Sequence, residues 1–373
     1  MMGHPPVGRR CFLSAGLCGG IAAAASAVQI AGPAQSAETS AKKDAAATPA
    51  KSEARSKAPA ARVALTAGDN RADITFAALR EFAKETAAAI GDRMVVIKPN
   101  NVDIATPLSA THAETLEAVL EFLKSIGKAK NVVIAESAGT GPTMEGFSNY
   151  GYPRVAAKYG AKLVDIDRAP FEVVHVFDEK DFRPHRVRTS RMLQDRNCYV
   201  ISVAKMKTHD CVGATLSLKN IIFGSPLKDP GFRFANRSER GPQSDKVVTH
   251  GSGLRALNFN LFTLSKRLHP HLALIDGYDG MEGNGPVAGT KVDHRVCVAS
   301  NDWLAADRVG VALMGIEFAD IGYLNYCADA GLGQADLAKI EILGPAVARH
   351  VKKYKLADNF QEQLVWKKPA TVS

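Results

Sequence analysis

The chain is poor in the residues that announce a familiar site. Its 373 residues hold six cysteines, two of which, Cys11 and Cys18, fall near the amino terminus. The other four, Cys198, Cys211, Cys297 and Cys327, stand 13, 86 and 30 positions apart. Those spacings match no zinc or iron–sulfur ligand pattern, so no iron–sulfur cluster is expected. Four thiols in so long a chain are no disulfide framework either, which leaves incidental or core cysteines and one optional disulfide in an oxidising compartment. A strong excess of charge is also missing. Positions 1–61 carry seven Lys or Arg and three Asp or Glu, which leaves 40 basic and 35 acidic residues beyond them, a net of +5. So mild a balance calls for no nucleic-acid partner, although local basic patches still suit anionic ligands. There is no internal repeat, and no long run of Leu and Ile that would make a permanent membrane anchor.

What is present begins at Gly8-Arg9-Arg10-Cys11-Phe12-Leu13-Ser14, followed by an Ala/Gly-rich apolar run to about Ala31. Paired arginines ahead of Phe-Leu and a weakly hydrophobic stretch resemble a twin-arginine export signal. Periplasmic location is therefore expected, with the twin-arginine translocase as a transient partner and residues 1–37 as signal. Leu17 directly before Cys18 argues against a lipoprotein. Residues 38–61, almost wholly Ala, Lys, Ser, Pro and Thr, read as a tether unable to form a core. An α/β domain is expected over 62–350 and a carboxyl-terminal tail over 351–373.

From Arg62 the pattern alternates. An Ala-rich helix is expected over 74–90 and a buried strand over 94–98. Thr111-His112-Ala113-Glu114 reads as a capping box, with Thr111 capping a helix that Gly127 stops. Strands follow over 131–135 and 162–166, with a short helix at 153–159 between them. Further strands are expected over 198–204, 271–276, 295–299 and 339–343, and a helix over 302–314. Alternation of this kind predicts an α/β fold, a mostly parallel, Rossmann-like sheet flanked by helices. Residues 225–253, rich in Pro, Gly and Arg and without periodicity, form a long inserted loop.

Ligands in parallel sheets bind beyond the carboxyl ends of the strands, and four polar groups fall at such ends. They are Lys98-Pro99-Asn100-Asn101; Glu136-Ser137-Ala138-Gly139-Thr140-Gly141; Lys205-Met206-Lys207-Thr208-His209 leading to Lys219-Asn220; and Asp276 through Pro286. The last holds Glu282, Gly283 and Gly285 in a glycine-rich run that is neither a phosphate loop nor a dinucleotide fingerprint. His209, Glu282 and Lys219 are the expected catalytic residues, His209 and Glu282 to move protons and Lys219 to hold carboxylate or phosphate oxygens with Lys98, Lys205 and Lys207. Asn100, Asn220, Gly283 and Gly285 complete the expected substrate-binding set. Asp276, Asp307 and Glu136 are the candidate ligands for a divalent metal, with an organic cofactor kept open beside it.

The runs Val95-Val96-Ile97-Lys98-Pro99-Asn100, Lys205-Met206-Lys207-Thr208-His209 with Leu218-Lys219-Asn220, and Ala273-Leu274-Ile275-Asp276-Gly277 with Met281-Glu282-Gly283-Asn284-Gly285-Pro286 resemble the domain of unknown function 362 family. So do Ala299-Ser300-Asn301-Asp302 with Ala305-Ala306-Asp307, and the resemblance covers about 62–345. Members of that family often carry an appended ferredoxin-like segment, which this sequence lacks. The order of elements is also similar to the amino-terminal domain of the nickel-pincer lactate racemase family. That resemblance implies a His and a cofactor-holding Lys ten residues later, the spacing of His209 and Lys219, although the glycine-rich run between them is absent here. The functional expectation is an exported enzyme acting on a small anionic substrate, carboxylate or phosphate. The alternatives are a periplasmic metal- or anion-binding protein without turnover, and a maturation partner of an exported redox complex.

Overall fold

The computed structural model describes residues 61–369. The expected signal segment, and all of the tether but Ala61, lie outside the described residues. The strands are β1 (Ala61–Ala67), β2 (Met94–Pro99), β3 (Val132–Glu136), β4 (Lys162–Asp165), β5 (Phe171–Asp178), β6 (Arg183–Ser190), β7 (Cys198–His209), β8 (Gly213–Thr215), β9 (Leu272–Asn284), β10 (Ala288–Ser300) and β11 (Ile340–Leu343). The helices are α1 (Arg71–Arg80), α2 (Ala83–Ile90), α3 (Ala113–Ser125), α4 (Thr143–Asn149), α5 (Tyr152–Tyr159), α6 (Ser217–Gly224), α7 (Asp245–His250), α8 (Leu254–Ser265), α9 (Trp303–Leu313), α10 (Gly322–Asp329) and α11 (Phe360–Gln363). Short 3₁₀ turns link several of them.

A nine-stranded sheet in the order β11-β1-β10-β9-β7-β2-β3-β4 forms the middle layer, with β8 paired to β7 off that path. Along the path only β10 runs against its neighbours. The expected mostly parallel α/β fold is therefore present. Because successive side chains of a strand point to opposite faces, β2 splits its apolar residues. Val95 and Ile97 pack with Ile74, Leu116, Val119 and Val155 of α1, α3 and α5. Val96 packs with Leu218, Ile221, Leu261 and Val309 of α6, α8 and α9. Both faces are covered, which is why β2 and β3 read as unbroken hydrophobic runs.

Several local expectations change. The helix expected over 74–90 is two, because the chain breaks at Glu81-Phe82 and turns the Phe82 ring into the core. Thr111 does not cap α3, which starts after His112 without a side-chain cap. The Thr111 hydroxyl instead accepts from the Asn100 amide at 2.8 Å and donates to the Val203 carbonyl at 2.7 Å, tying β2 to β7. Strand β7 runs five residues past Ala204, since β8 and β9 satisfy its backbone there and its polar side chains are buried.

The glycine-rich run after Asp276 is not a loop but the distal half of the β9–β10 hairpin. A Cβ at Gly280 would overlap the Tyr354 hydroxyl, and one at Gly285 the Thr208 carbonyl. Glycine there allows close packing rather than open approach to a ligand. The 225–253 segment contains α7 and is closed on itself, with the Asp229 and Asp245 amides donating to the carbonyls of Gln243 and Leu227, 2.8 and 2.9 Å. The β5–β6 hairpin, unforeseen from the sequence, forms a separate two-stranded sheet. Tyr354, Phe360 and Gln363 of the tail are buried, and Gln363 Oε1 accepts from the Gly213 amide at 2.7 Å. No disulfide joins the four described cysteines, all of them buried. Among the described residues no helix is long and apolar enough to cross a membrane.

Candidate functional site

Three parallel strands deliver polar groups to one end of the sheet. Lys98 is the penultimate residue of β2, Glu136 the last of β3, and Lys205, Lys207 and His209 lie at the end of β7. Helix α6 then carries Lys219 and Asn220 back across this rim. Asp307 of α9 fixes the start of α6, accepting from the Ser217 amide and hydroxyl at 2.8 and 2.5 Å and from the Leu218 amide at 3.1 Å. A carboxylate on a helix amino terminus takes up amides that have no partner within the helix.

These elements line a partly open cavity that leaves about 60 Å³ for the centre of a water molecule. Its polar walls are Lys98, Asn100, Asn101, Glu136, His209, Thr215, Lys219, Asn220, Lys246 and His250, with Phe223, Phe234 and Pro286 among the apolar ones. Six of the residues expected from sequence thus share one space: Lys98, Asn100, Glu136, His209, Lys219 and Asn220. Lys246 and His250 were missed, because they stand four apart on the six-residue α7 inside a segment with no periodicity. Asn101 and Thr215 lie inside or beside the strand-end runs singled out in the sequence but were given no role there.

Most of the polar wall is pinned. Lys98 Nζ lies 2.7 Å from both Glu136 oxygens and donates to the Pro99 carbonyl at 2.7 Å. Glu136 also accepts from the amides of Asn101 and Ser137, 3.0 and 2.8 Å. Asn220 accepts from Asn100 Nδ2 at 2.9 Å and donates to Ser202 Oγ at 3.0 Å. Lys246 Nζ donates to the carbonyls of Phe223 and Gly224, 3.0 and 3.3 Å. Lys207 lies behind the cavity wall and donates to the Ser109 carbonyl at 2.7 Å.

Lys219 differs. Its ammonium sits 4.6 Å from the centre of the Phe223 ring and, among the described residues, has no hydrogen-bond or ion-pair partner. Asn100 Oδ1, both amide atoms of Asn101 and Thr215 Oγ1 are also buried without partners while lining the same space. Buried polar atoms left unmatched are uncommon and call for a reason.

Burial dominates the charge states. It pulls Lys219 down to about 7, against the smaller opposing pull of Cys211 and Asp210. Lys246 falls to about 7 for the same reason, with Asp167 and Glu136 opposing. Lys207 is driven well below the ordinary lysine range by burial and then by Lys219 and Lys205. His209 is held far below its usual value by burial and by Lys219, and His250 is lowered to about 3 by the same two causes. His209 Nδ1 accepts the Cys211 amide at 3.0 Å, so the neutral imidazole carries its proton on Nε2.

The other expected residues lie elsewhere. Lys205 pairs with Asp276 at 3.3 Å, in a buried cluster with Arg71 and Thr115. Glu282 accepts from the Lys355 amide at 2.8 Å, and the Gly283 carbonyl from the Thr208 hydroxyl at 2.8 Å, both in the β9–β10 hairpin. The Gly285 carbonyl accepts from the Asp210 amide at 3.0 Å. Asp276, Asp307 and Glu136 do not converge, and each spends its oxygens on protein donors. His209, Asp210 and Cys211 do bring ligand atoms within 4.8 Å of one another. Those atoms already bond internally, however, through Cys211 N to His209 Nδ1 and Cys211 Sγ to Asp210 Oδ1, 3.0 and 3.3 Å. A metal there would have to displace both contacts.

The family model described as Domain of unknown function (DUF362) matches residues 95–312. The chain belongs to that family. The matched span of this DUF362 protein runs from β2 to α9 and includes every polar residue of the cavity wall. No curated protein and no solved structure matches the chain.

Proposed function

We propose that this DUF362 protein is an enzyme that acts on a small anionic substrate, carboxylate or phosphate, held in the lysine-lined cavity. One observation carries the reading: three lysines line the space against a single glutamate, with Lys207 behind them. Keeping ammonium groups out of water costs several kcal/mol each unless they are compensated, and an anion supplies the missing compensation. The unmatched atoms of Asn100 and Thr215, residues of the same wall, offer an acceptor and a hydroxyl to fix its orientation. Lys219, brought to about 7, is placed to exchange a proton near neutral pH, and the His209 imidazole lies on the same wall. Export to the periplasm through the twin-arginine translocase belongs to the same reading, on the strength of Arg9-Arg10-Cys11-Phe12-Leu13.

Titration calorimetry with oxalate and with inorganic phosphate tests it. The expected result is one site per chain, a rise in melting temperature with anion, and weaker binding by Lys246→Met. If neither anion binds or stabilises the protein, the reading fails. Binding without turnover uses the same cavity; it is the better description if His209→Ala leaves both anion affinity and every cellular effect of the protein unchanged.

A further inference from the structure

We infer that Lys219 is a carbonyl-trapping nucleophile, forming an imine with an aldehyde or ketone carried by the anionic substrate. The inference rests on the anion-site reading above and adds the chemical class of what that site takes.

The geometry separates Lys219 from the other lysines. Lys98 is held by Glu136 and the Pro99 carbonyl, Lys207 by the Ser109 carbonyl, and Lys246 by the carbonyls of Phe223 and Gly224. Acceptors around an ammonium require its protons and keep its lone pair out of use. Lys219 has no acceptor among the described residues, is 4 % exposed, and faces the cavity across the Phe223 ring. A lysine so placed gives up its proton and becomes a nucleophile. Lys98 and Lys246, tethered on the same wall, are left to donate to the substrate's anionic group.

The step balances without a further reagent. The neutral Lys219 amine attacks the carbonyl carbon, and the proton that its nitrogen then sheds passes to the carbonyl oxygen to give a neutral carbinolamine. That oxygen takes a second proton, from solvent at the cavity mouth, and departs as water while the nitrogen lone pair closes the C=N bond. A protonated imine remains, and hydrolysis regenerates the amine.

Glyoxylate, a carboxylate bearing an aldehyde, is the probe. The intact protein is incubated with glyoxylate and borohydride, and the adduct is mapped by peptide mass spectrometry, with and without saturating oxalate. One reduced adduct on Lys219, suppressed by oxalate and absent from Lys219→Met, is the expected result. Lys219→Met should unfold cooperatively in urea like the wild type, which shows that the variant is folded. If wild-type protein binds oxalate but Lys219 gains no adduct, the imine assignment is overturned while the anion site stands. The assignment is equally overturned by an adduct on Lys246 or Lys98 in place of Lys219, or by one that oxalate does not suppress. If oxalate does not bind either, both readings fall.

Discussion

Replacing Lys219 by methionine should make the protein more stable, by an amount that shrinks as pH rises. The side chain is buried and its folded-state value is about 7, against an ordinary value of 10.5. Between those values the unfolded chain binds more protons than the folded one, so this lysine makes stability increase with pH through that window. The cost it imposes is present below the folded value and fades as pH approaches the unfolded one. With about 1.4 kcal/mol per pKa unit, the cost is about 4 kcal/mol near pH 7 and about 1 kcal/mol near pH 10. Methionine fills similar volume without a charge. It forfeits the contact with the Phe223 ring, worth about 0.5–1 kcal/mol, so the net gain near neutral pH is about 3 kcal/mol. The measurement is urea unfolding of both proteins at the two pH values, with unchanged m-values as the check on the comparison. A variant less stable than wild type near pH 7, or a gap of equal size at both pH values, would refute the reasoning. The first outcome would mean that Lys219 has a buried partner, and the second that its ionisation is not perturbed.

Three further substitutions probe the frame of the site. Glu136→Gln removes the carboxylate paired with buried Lys98 and should cost about 3–5 kcal/mol in urea unfolding; the double variant with Lys98→Met should recover most of that loss. Gly224→Ala places a Cβ on the Lys98 side chain, so a destabilisation of about 1–3 kcal/mol is expected, together with loss of oxalate binding in calorimetry. Thr111→Val keeps the shape but deletes the hydroxyl that joins the Asn100 amide to the Val203 carbonyl. It should cost about 1–3 kcal/mol and show as faster amide exchange at Asn100.

The strand order, with its single reversed strand, could not be read from local pattern, yet the class of fold could. Alternating apolar runs and helical periodicities impose burial on both faces of each central strand, whatever their neighbours turn out to be. Lys98 and Glu136 were legible as site candidates because a charged residue closing an apolar strand marks the end where ligands bind. Asp276 carried the same local signature, and Asp307 stood in a helix; both went to structural work, one pairing with Lys205 and Arg71, the other holding the start of α6. From one sequence these fates look alike, because a carboxylate's use depends on which distant donor reaches it.

What the sequence determined by itself was therefore the α/β class, the strand ends at which chemistry could gather, and the family of the chain. The tertiary structure alone decided which of those ends face one another. It brought Lys246 and His250 into the wall from a segment without periodicity, and gave Lys98, Lys207 and Lys246 acceptors but Lys219 none among the described residues. The physical reason is range: burial and periodicity are imposed by neighbours along the chain. The charge state of a buried lysine is set instead by groups that only the folded chain brings within a few ångströms.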